Sequence, residues 1–219
     1  MTEMETTRLI LRRFRIQDAA PMAAYRNDPD IARYQAWPSP LTPEAATDQA
    51  RVYSEQDPEQ PGWFQYAIEL KADRSLAGDL GVNLHDNRMQ ADLGYTLAPA
   101  LHGQGYATEA VRAVLGHLFR QGLHRVSAEC DTRNTPSARL LERVGFALEG
   151  QRPEFTMNIN TREWTDTLLY GLLARHWRNP EADPQPTAKA TRLERRGGRA
   201  YAPAGAGGGR TGFGGGRAE

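Results

Sequence analysis

The apolar positions of the chain follow two periods, and the change from one to the other outlines an α/β protein. Leu9 and Leu11 alternate with Arg8, Ile10 and Arg12, which predicts a first strand with one face more exposed than the other. Trp63 to Leu70, Leu76 to His85 and Gln90 to Leu97 are further strand-like runs, joined by the short polar stretches 71–74 and 86–88. Such connections suit hairpins, so these runs are expected to form an antiparallel meander. From Ala107 the period lengthens: Ala107, Ala110, Val111, Val114, Leu115, Leu118 and Phe119 recur as one buried helical face, with Gly122 placed to end the helix as a left-handed cap. Arg125 to Cys130 is again a strand, and because a helix joins it to the run ending at Leu97 the two must lie parallel.

A second helix of this half starts at Thr135-Pro136 and closes at Gly145, with Leu140, Leu141 and Val144 as its apolar face and Phe146 packing back on the last turn. Ala147 to Gln151 and Asp166 to Leu173 form a closing strand pair around a loop without a pattern. Earlier in the chain, one helix is expected near Asp18 to Asn27, stopping before Asp28-Pro29. Another follows Thr42-Pro43-Glu44, which supplies a capping hydroxyl, a proline at the first helical position and an acid in the first turn, and runs to about Glu55.

Beyond Trp177 the pattern stops. Residues 179–219 are prolines, then Arg195-Arg196-Gly197-Gly198-Arg199, then a glycine-rich stretch around Arg210, Phe213 and Arg217. Such a segment cannot offset its ordering entropy, so the expectation is a folded domain over 1–178 and a disordered tail over 179–219.

Composition narrows the function by exclusion. The 219 residues carry 27 Lys and Arg against 27 Asp and Glu, so no global field calls for nucleic acid or an acidic substrate. One cysteine, Cys130, excludes an internal disulfide and a cysteine-based metal cluster, and no metal is expected. No apolar run approaches membrane-spanning length, and the opening MTEMETTRLILRRF lacks the order of a secretion signal; a soluble cytoplasmic protein is the expectation.

The chemistry concentrates between Asp92 and Gly122. A strand leaves the sheet at Ala98-Pro99-Ala100, a glycine loop His102-Gly103-Gln104-Gly105 follows, and the best-marked helix begins directly after it. Strand, glycine loop and helix start in that order leave backbone N–H groups pointing outward with the positive end of a helix dipole behind them, a setting for phosphate. Gly103 and Gly105 could instead serve a turn and nothing more. A Walker loop needs Gly-Lys-Ser/Thr, which is missing. A dinucleotide fingerprint meets Thr108 where its third glycine belongs, although Glu129 lies at the distance of a ribose-binding acid.

His102-Gly103-Gln104-Gly105-Tyr106-Ala107 resembles the pyrophosphate loop of the GNAT acetyltransferase superfamily: Gln or Arg, two residues, Gly, one residue, then Gly or Ala. Every place but the first matches. The fuller GQGYATEA looks like the branch that contains the N-terminal acetyltransferases of ribosomal proteins. A second stretch, Asn134 to Phe146, fits the form in which an Asn, a Ser three residues on and a terminal Gly-Phe recur, here Asn134, Ser137, Gly145 and Phe146. Read alone, Asn134 is a helix cap and Ser137 a solvated first-turn residue.

The resemblance covers roughly Thr7 to Trp177 and implies a mixed, mostly antiparallel sheet with a central splayed parallel strand pair flanked by helices. It further implies direct acetyl transfer from acetyl-CoA to an amine. Backbone groups near Tyr95 and Leu97 would hold the pantetheine arm, with Gly94 a plausible bulge beside the slot. His102, Gly103, Gln104, Gly105, Tyr106, Ala107 and Thr108 would take the pyrophosphate. Asn134 would hydrogen-bond the cofactor, and Ser137 would protonate the departing sulfur.

Asp92 occupies the place where many such enzymes carry a carboxylate, and it is the candidate base, acting through water; His85 is an alternative, and a surface strand aspartate is the plain reading of Asp92. A free α-amine, with a pKa of about 7.7–8.0, is already roughly one-tenth neutral at pH 7, whereas a lysine near 10.4 is neutral about once in a few thousand molecules. An α-amine needs little help beyond a water path; the resemblance implies a protein N-terminus or a small amine as acceptor, its pocket walled by the first two helices and the loop near Arg152 to Trp164. An acyl-cysteine on Cys130 is a different route, but Val126, Ala128 and Cys130 alternate as an inward face, where thiols are inert. A non-enzymatic reading has the Arg/Gly tail touching RNA, with the folded domain a non-catalytic CoA-binding scaffold. Monomer and homodimer are both compatible with the chain.

Overall fold

In the computed structural model, which describes residues 3–178, the alternating segments pair into one eight-stranded sheet. The strands are β1 Met4–Glu5, β2 Leu9–Arg13, β3 Gly62–Leu70, β4 Leu76–Leu84, β5 Gln90–Leu97, β6 Arg125–Asp131, β7 Ala147–Met157 and β8 Trp164–Leu173, in the spatial order β1-β2-β3-β4-β5-β6-β8-β7. Every neighbouring pair is antiparallel except β5 and β6. The helices are α1 Ala19–Arg26, α2 Pro29–Ala32, α3 Pro43–Glu55, α4 Tyr106–Arg120 and α5 Thr135–Val144. The tail expected over 179–219 lies outside the described residues.

Local chemistry sets the helix ends. The Thr42 hydroxyl accepts from Ala45 N with Pro43 in the first turn of α3. Gly122, at φ +91, and Gly145, at φ +106, take the left-handed caps that end α4 and α5, and Phe146 N returns to Leu141 O at 3.0 Å. The apolar stripes of both helices then bury against one face of the sheet. Val111, Val114 and Leu115 of α4 and Leu141 of α5 are fully closed to solvent among Leu11, Ile68, Leu80, Val126 and Leu172. Each such side chain contributes about 1.5–3 kcal/mol of burial.

The opposite face corrects the expectation for β2. Ile10 and Arg12, placed on the more exposed side, are 5% and 3% exposed. A second apolar layer covers that face, with Phe14, Met22 and Tyr25 packed on Ala46, Ala50 and Ala67. Arg12 is tolerated there because Asp18 (2.8 Å) and Glu69 (2.5 Å) neutralise it. Arg26 is likewise paired with Asp79 at 3.0 Å, and the Tyr25 hydroxyl donates to the same carboxylate.

Besides the short β1, two features carry no mark in the hydrophobic pattern. Asp28-Pro29 does end α1, but Asp28 also caps the short α2, accepting from Asp30 N at 2.9 Å. The unpatterned loop near 152–164 is the extended tip of the β7–β8 hairpin, its register broken between Leu148 and Gly150 and again between Arg152 and Thr156.

Candidate active site

The parallel pair opens as it runs. β5 and β6 pair from Gln90 with Arg125 to Leu93 with Ala128 and then part. Gly94 to Leu97 stay on β4, while Glu129 to Asp131 stay on β8. The result is a slot whose β5 edge is Gly94 to Leu97. The expected bulge at Gly94 is not what makes it, since the β4–β5 register runs unbroken through the Gly81–Gly94 pair.

The glycine loop stands beyond the end of β5. Gly103 and Gly105 have φ of +74° and +83°, and Gly105 caps α4. These conformations strain any residue with a Cβ. Among the described residues, the amides of Gly103, Gln104, Gly105, Tyr106, Ala107 and Thr108 meet no acceptor in the protein, and the first bond of the turn is Glu109 N to Gly105 O at 3.0 Å. Free N–H groups at the start of a fifteen-residue helix suit a pyrophosphate, so the residues of the loop fit that group. The ring of His102 does not join them: its Nε2 lies 3.0 Å from Leu97 O, tying the loop to the strand end, as Gln104 Nε2 does to Ala100 O at 2.9 Å.

On the α4–α5 side of the slot, Tyr95 and Ser137 meet. Their hydroxyl oxygens are 2.9 Å apart. Burial pushes the Tyr95 phenol well above its ordinary pKa, so it stays protonated and able to donate. Asn134 accepts from Ser137 N at 3.3 Å through its side-chain oxygen, which is the capping role, and its Nδ2 is left over. Cys130 lies in the same region, and burial raises its thiol to about 11.

Asp92 is not with them. Three residues from Tyr95 on an extended strand, it faces the other side of the sheet. There Asn83 Nδ2 donates to its Oδ2 at 3.1 Å and His85 Nε2 lies 2.9 Å from the same oxygen. The two candidate bases, Asp92 and His85, therefore form one pair. Gly94 shares their face, and a Cβ built on it would meet nothing within 4 Å, so the space over it is open.

The β7–β8 tip, expected with the early helices to wall the acceptor pocket, is tied to segments distant in sequence. Asn158 at the β7–β8 tip donates to Arg33 O (2.7 Å), and Asn160 donates to Ala32 O and Trp37 O (3.0 Å each) while accepting from Ser39 N (3.0 Å). The Tyr34 hydroxyl reaches Arg133 O at 3.5 Å, and Arg133 bridges Asp131 and Glu163. Sequence reasoning placed this wall between the early helices and the loop but named none of these residues. No local signal marks an Asn whose partner carbonyls lie more than a hundred positions away.

Among the described residues, no group of three or more His, Cys, Asp and Glu side chains could hold a metal ion, and no helix is long and apolar enough to cross a membrane. The acetyltransferase (GNAT) domain family matches residues 8–147. The uncharacterized N-acetyltransferase p20 of Bacillus licheniformis is 31% identical over 182 residues, 81% of this chain and 99% of that protein. The ribosomal protein uS5 alanine N-acetyltransferase of Escherichia coli is 31% identical over 86 residues, 39% of this chain and 43% of that protein. Among solved structures, a GNAT-family acetyltransferase from Bacillus anthracis superposes with a TM-score of 0.69 at 25% identity, over 80% of this chain and 99% of that one.

Proposed function

The chain belongs to the GNAT acetyltransferase family, and from that premise we propose which residues carry its reaction and which amine it serves. It is an acetyl-CoA-dependent N-acetyltransferase, moving an acetyl group to an amine. The observation that carries the residue assignment is the slot between β5 and β6, with a hydroxyl pair on one face and a carboxylate–imidazole pair on the other.

When bound, acetyl-CoA supplies the thioester carbon that the amine attacks. The amides from Gly103 to Thr108 bind the pyrophosphate, and the strand edge near Tyr95 and Leu97 aligns the pantetheine arm. Ser137 Oγ would give its proton to the departing sulfur and regain one from solvent, and Tyr95, its hydroxyl 2.9 Å from that oxygen, orients it while staying protonated. From the other face Asp92, in contact with His85, takes the amine proton through water. The transfer is direct, and Cys130 takes no part.

The acceptor we infer is the α-amine of a protein N-terminus. One half-exposed carboxylate–imidazole pair suffices for an amine that is already partly neutral at pH 7, and a lysine would need far more. The Escherichia coli relative is named for an alanine of a ribosomal protein, which supports the same class.

The test is turnover with three acceptors: a short peptide with a free N-terminal alanine, the same peptide blocked at its N-terminus but carrying a free lysine, and a linear polyamine. The α-amine peptide is expected to be acetylated fastest. A faster polyamine or lysine peptide overturns the acceptor class. Tight acetyl-CoA binding with no transfer to any amine overturns the catalytic assignment.

A further inference from the structure

The mechanism leaves one cluster beside the phosphate loop unused. Glu109, in the first turn of α4, is held by residues a hundred positions away. Its Oε1 accepts from Thr6 Oγ1 (2.6 Å) and Arg8 N (2.8 Å), and its Oε2 accepts from Arg8 Nε (2.7 Å). The same guanidinium continues into the loop. Arg8 Nη1 donates to Gln104 O at 2.9 Å, the carbonyl between the two left-handed glycines, and its Cζ lies 4.2 Å above the Tyr106 ring. Arg8 Nη2 makes no hydrogen bond among the described residues and stands 3.5 Å from where a Cβ on Gly105 would be.

We propose that Arg8, fixed by Glu109, is a positioning residue that holds the glycine loop in its ligand-ready shape and neutralises the carboxylate beside it. This rests on the reading of the loop as the pyrophosphate site. Two physical reasons support it. A loop with two glycines at positive φ has many alternative conformations, and each amide must be ordered before an anion can be gripped; a brace on the Gln104 carbonyl removes that cost in advance. Burial alone would push the Glu109 carboxyl up, but Thr6 and both donors of Arg8 outweigh it and hold the group below the usual carboxylate range, so it is an anion. Unneutralised, that charge would repel a pyrophosphate at the same helix end. Global stability is a poor account of the pair, because Arg8 is 42% exposed and such ion pairs contribute little.

The experiment measures binding of desulfo-CoA and of pantetheine, which lacks the pyrophosphate, together with melting temperature, for the parent, Arg8→Ala, Arg8→Lys, Glu109→Gln and the double variant Arg8→Ala/Glu109→Gln. Arg8→Ala is expected to weaken desulfo-CoA by about tenfold to a hundredfold, the size of one lost charge-assisted contact, with pantetheine unchanged. Arg8→Lys keeps the charge but cannot reach Glu109 and Gln104 O together, so it recovers only part of the loss and serves if Arg8→Ala does not fold. Removing the bare carboxylate in the double variant should restore part of the affinity that Arg8→Ala lost. Equal loss for both ligands, an unchanged affinity with a lowered melting temperature, or no rescue in the double variant assigns Arg8 a structural role and overturns the proposal. A parent that binds desulfo-CoA no better than pantetheine fails differently: it removes the pyrophosphate reading itself, and the proposal with it.

Discussion

Six consecutive residues, Gly103 to Thr108, present free backbone amides as the proposed donor side, whereas the proposed acceptor side is tied together by side-chain amides of Asn158 and Asn160 that hold carbonyls 123 to 128 positions away. A backbone site depends on very few side chains, chiefly the glycines whose φ no other residue adopts without strain. A wall made of side chains spreads its sensitivity over many contacts and can change without disturbing the donor side. Donor affinity should therefore respond steeply to one or two positions, and acceptor selectivity shallowly to several.

The steepest expected response is at Gly105. At φ +83 a valine costs about 1–3 kcal/mol of backbone strain and also blocks the amides, so desulfo-CoA affinity should fall by several orders of magnitude while the domain still melts cooperatively. A loss below tenfold by calorimetry would show that the loop is not where the anion sits.

Next is the hydroxyl pair. Ser137→Ala should lower kcat by about a hundredfold and Tyr95→Phe by about tenfold, both with acetyl-CoA affinity kept, in line with the usual size of general-acid contributions. If Tyr95→Phe costs more than Ser137→Ala, the phenol itself gives the proton to the sulfur.

Asn160→Ala sharpens the acceptor side. It removes two bonds to carbonyls and should raise the acceptor KM a few-fold, lower stability by about 1–3 kcal/mol and leave the donor KM alone. A change confined to the donor KM would place this wall on the wrong side.

The smallest effect belongs to Cys130→Ala, with turnover within about twofold of the parent because direct transfer uses no thiol. The sign of its titration agrees. Burial raises the group to about 11, so the neutral thiol persists through neutral pH and iodoacetamide labelling should climb only as pH approaches that value. Rapid labelling at pH 7, or a trapped acetyl adduct on Cys130, would contradict it.

The legible parts of this protein are the contiguous ones. The span of β5, the Thr42 cap, the α4 stripe and the glycine ends of α4 and α5 follow from local rules, and so does a loop whose ligands are neighbouring amides. What was not legible depends on distant partners. Arg12 reads as a surface residue until Asp18 and Glu69 close around it, and Ile10 until a second layer covers that face. Asp92 and His85 read as alternatives because strand alternation places each on a face but does not bring β4 and β5 into register. Arg8 carries no local mark of its bond to Gln104 O.

The central claim is that donor and acceptor meet through the slot from opposite faces, and Gly94→Val tests it most directly. Gly94 is not at a positive φ, and a Cβ there meets nothing within 4 Å, so the variant should fold as the parent does. Its side chain would nonetheless stand on the Asp92 face where the amine must approach. The measurement is steady-state acetyl transfer to the N-terminal alanine peptide beside desulfo-CoA binding. The account predicts that transfer falls by at least about a hundredfold while desulfo-CoA affinity stays within a few-fold of the parent. Unchanged transfer by a folded, CoA-binding Gly94→Val protein would mean that the amine does not arrive over this face, and the assignment of the two faces would be wrong.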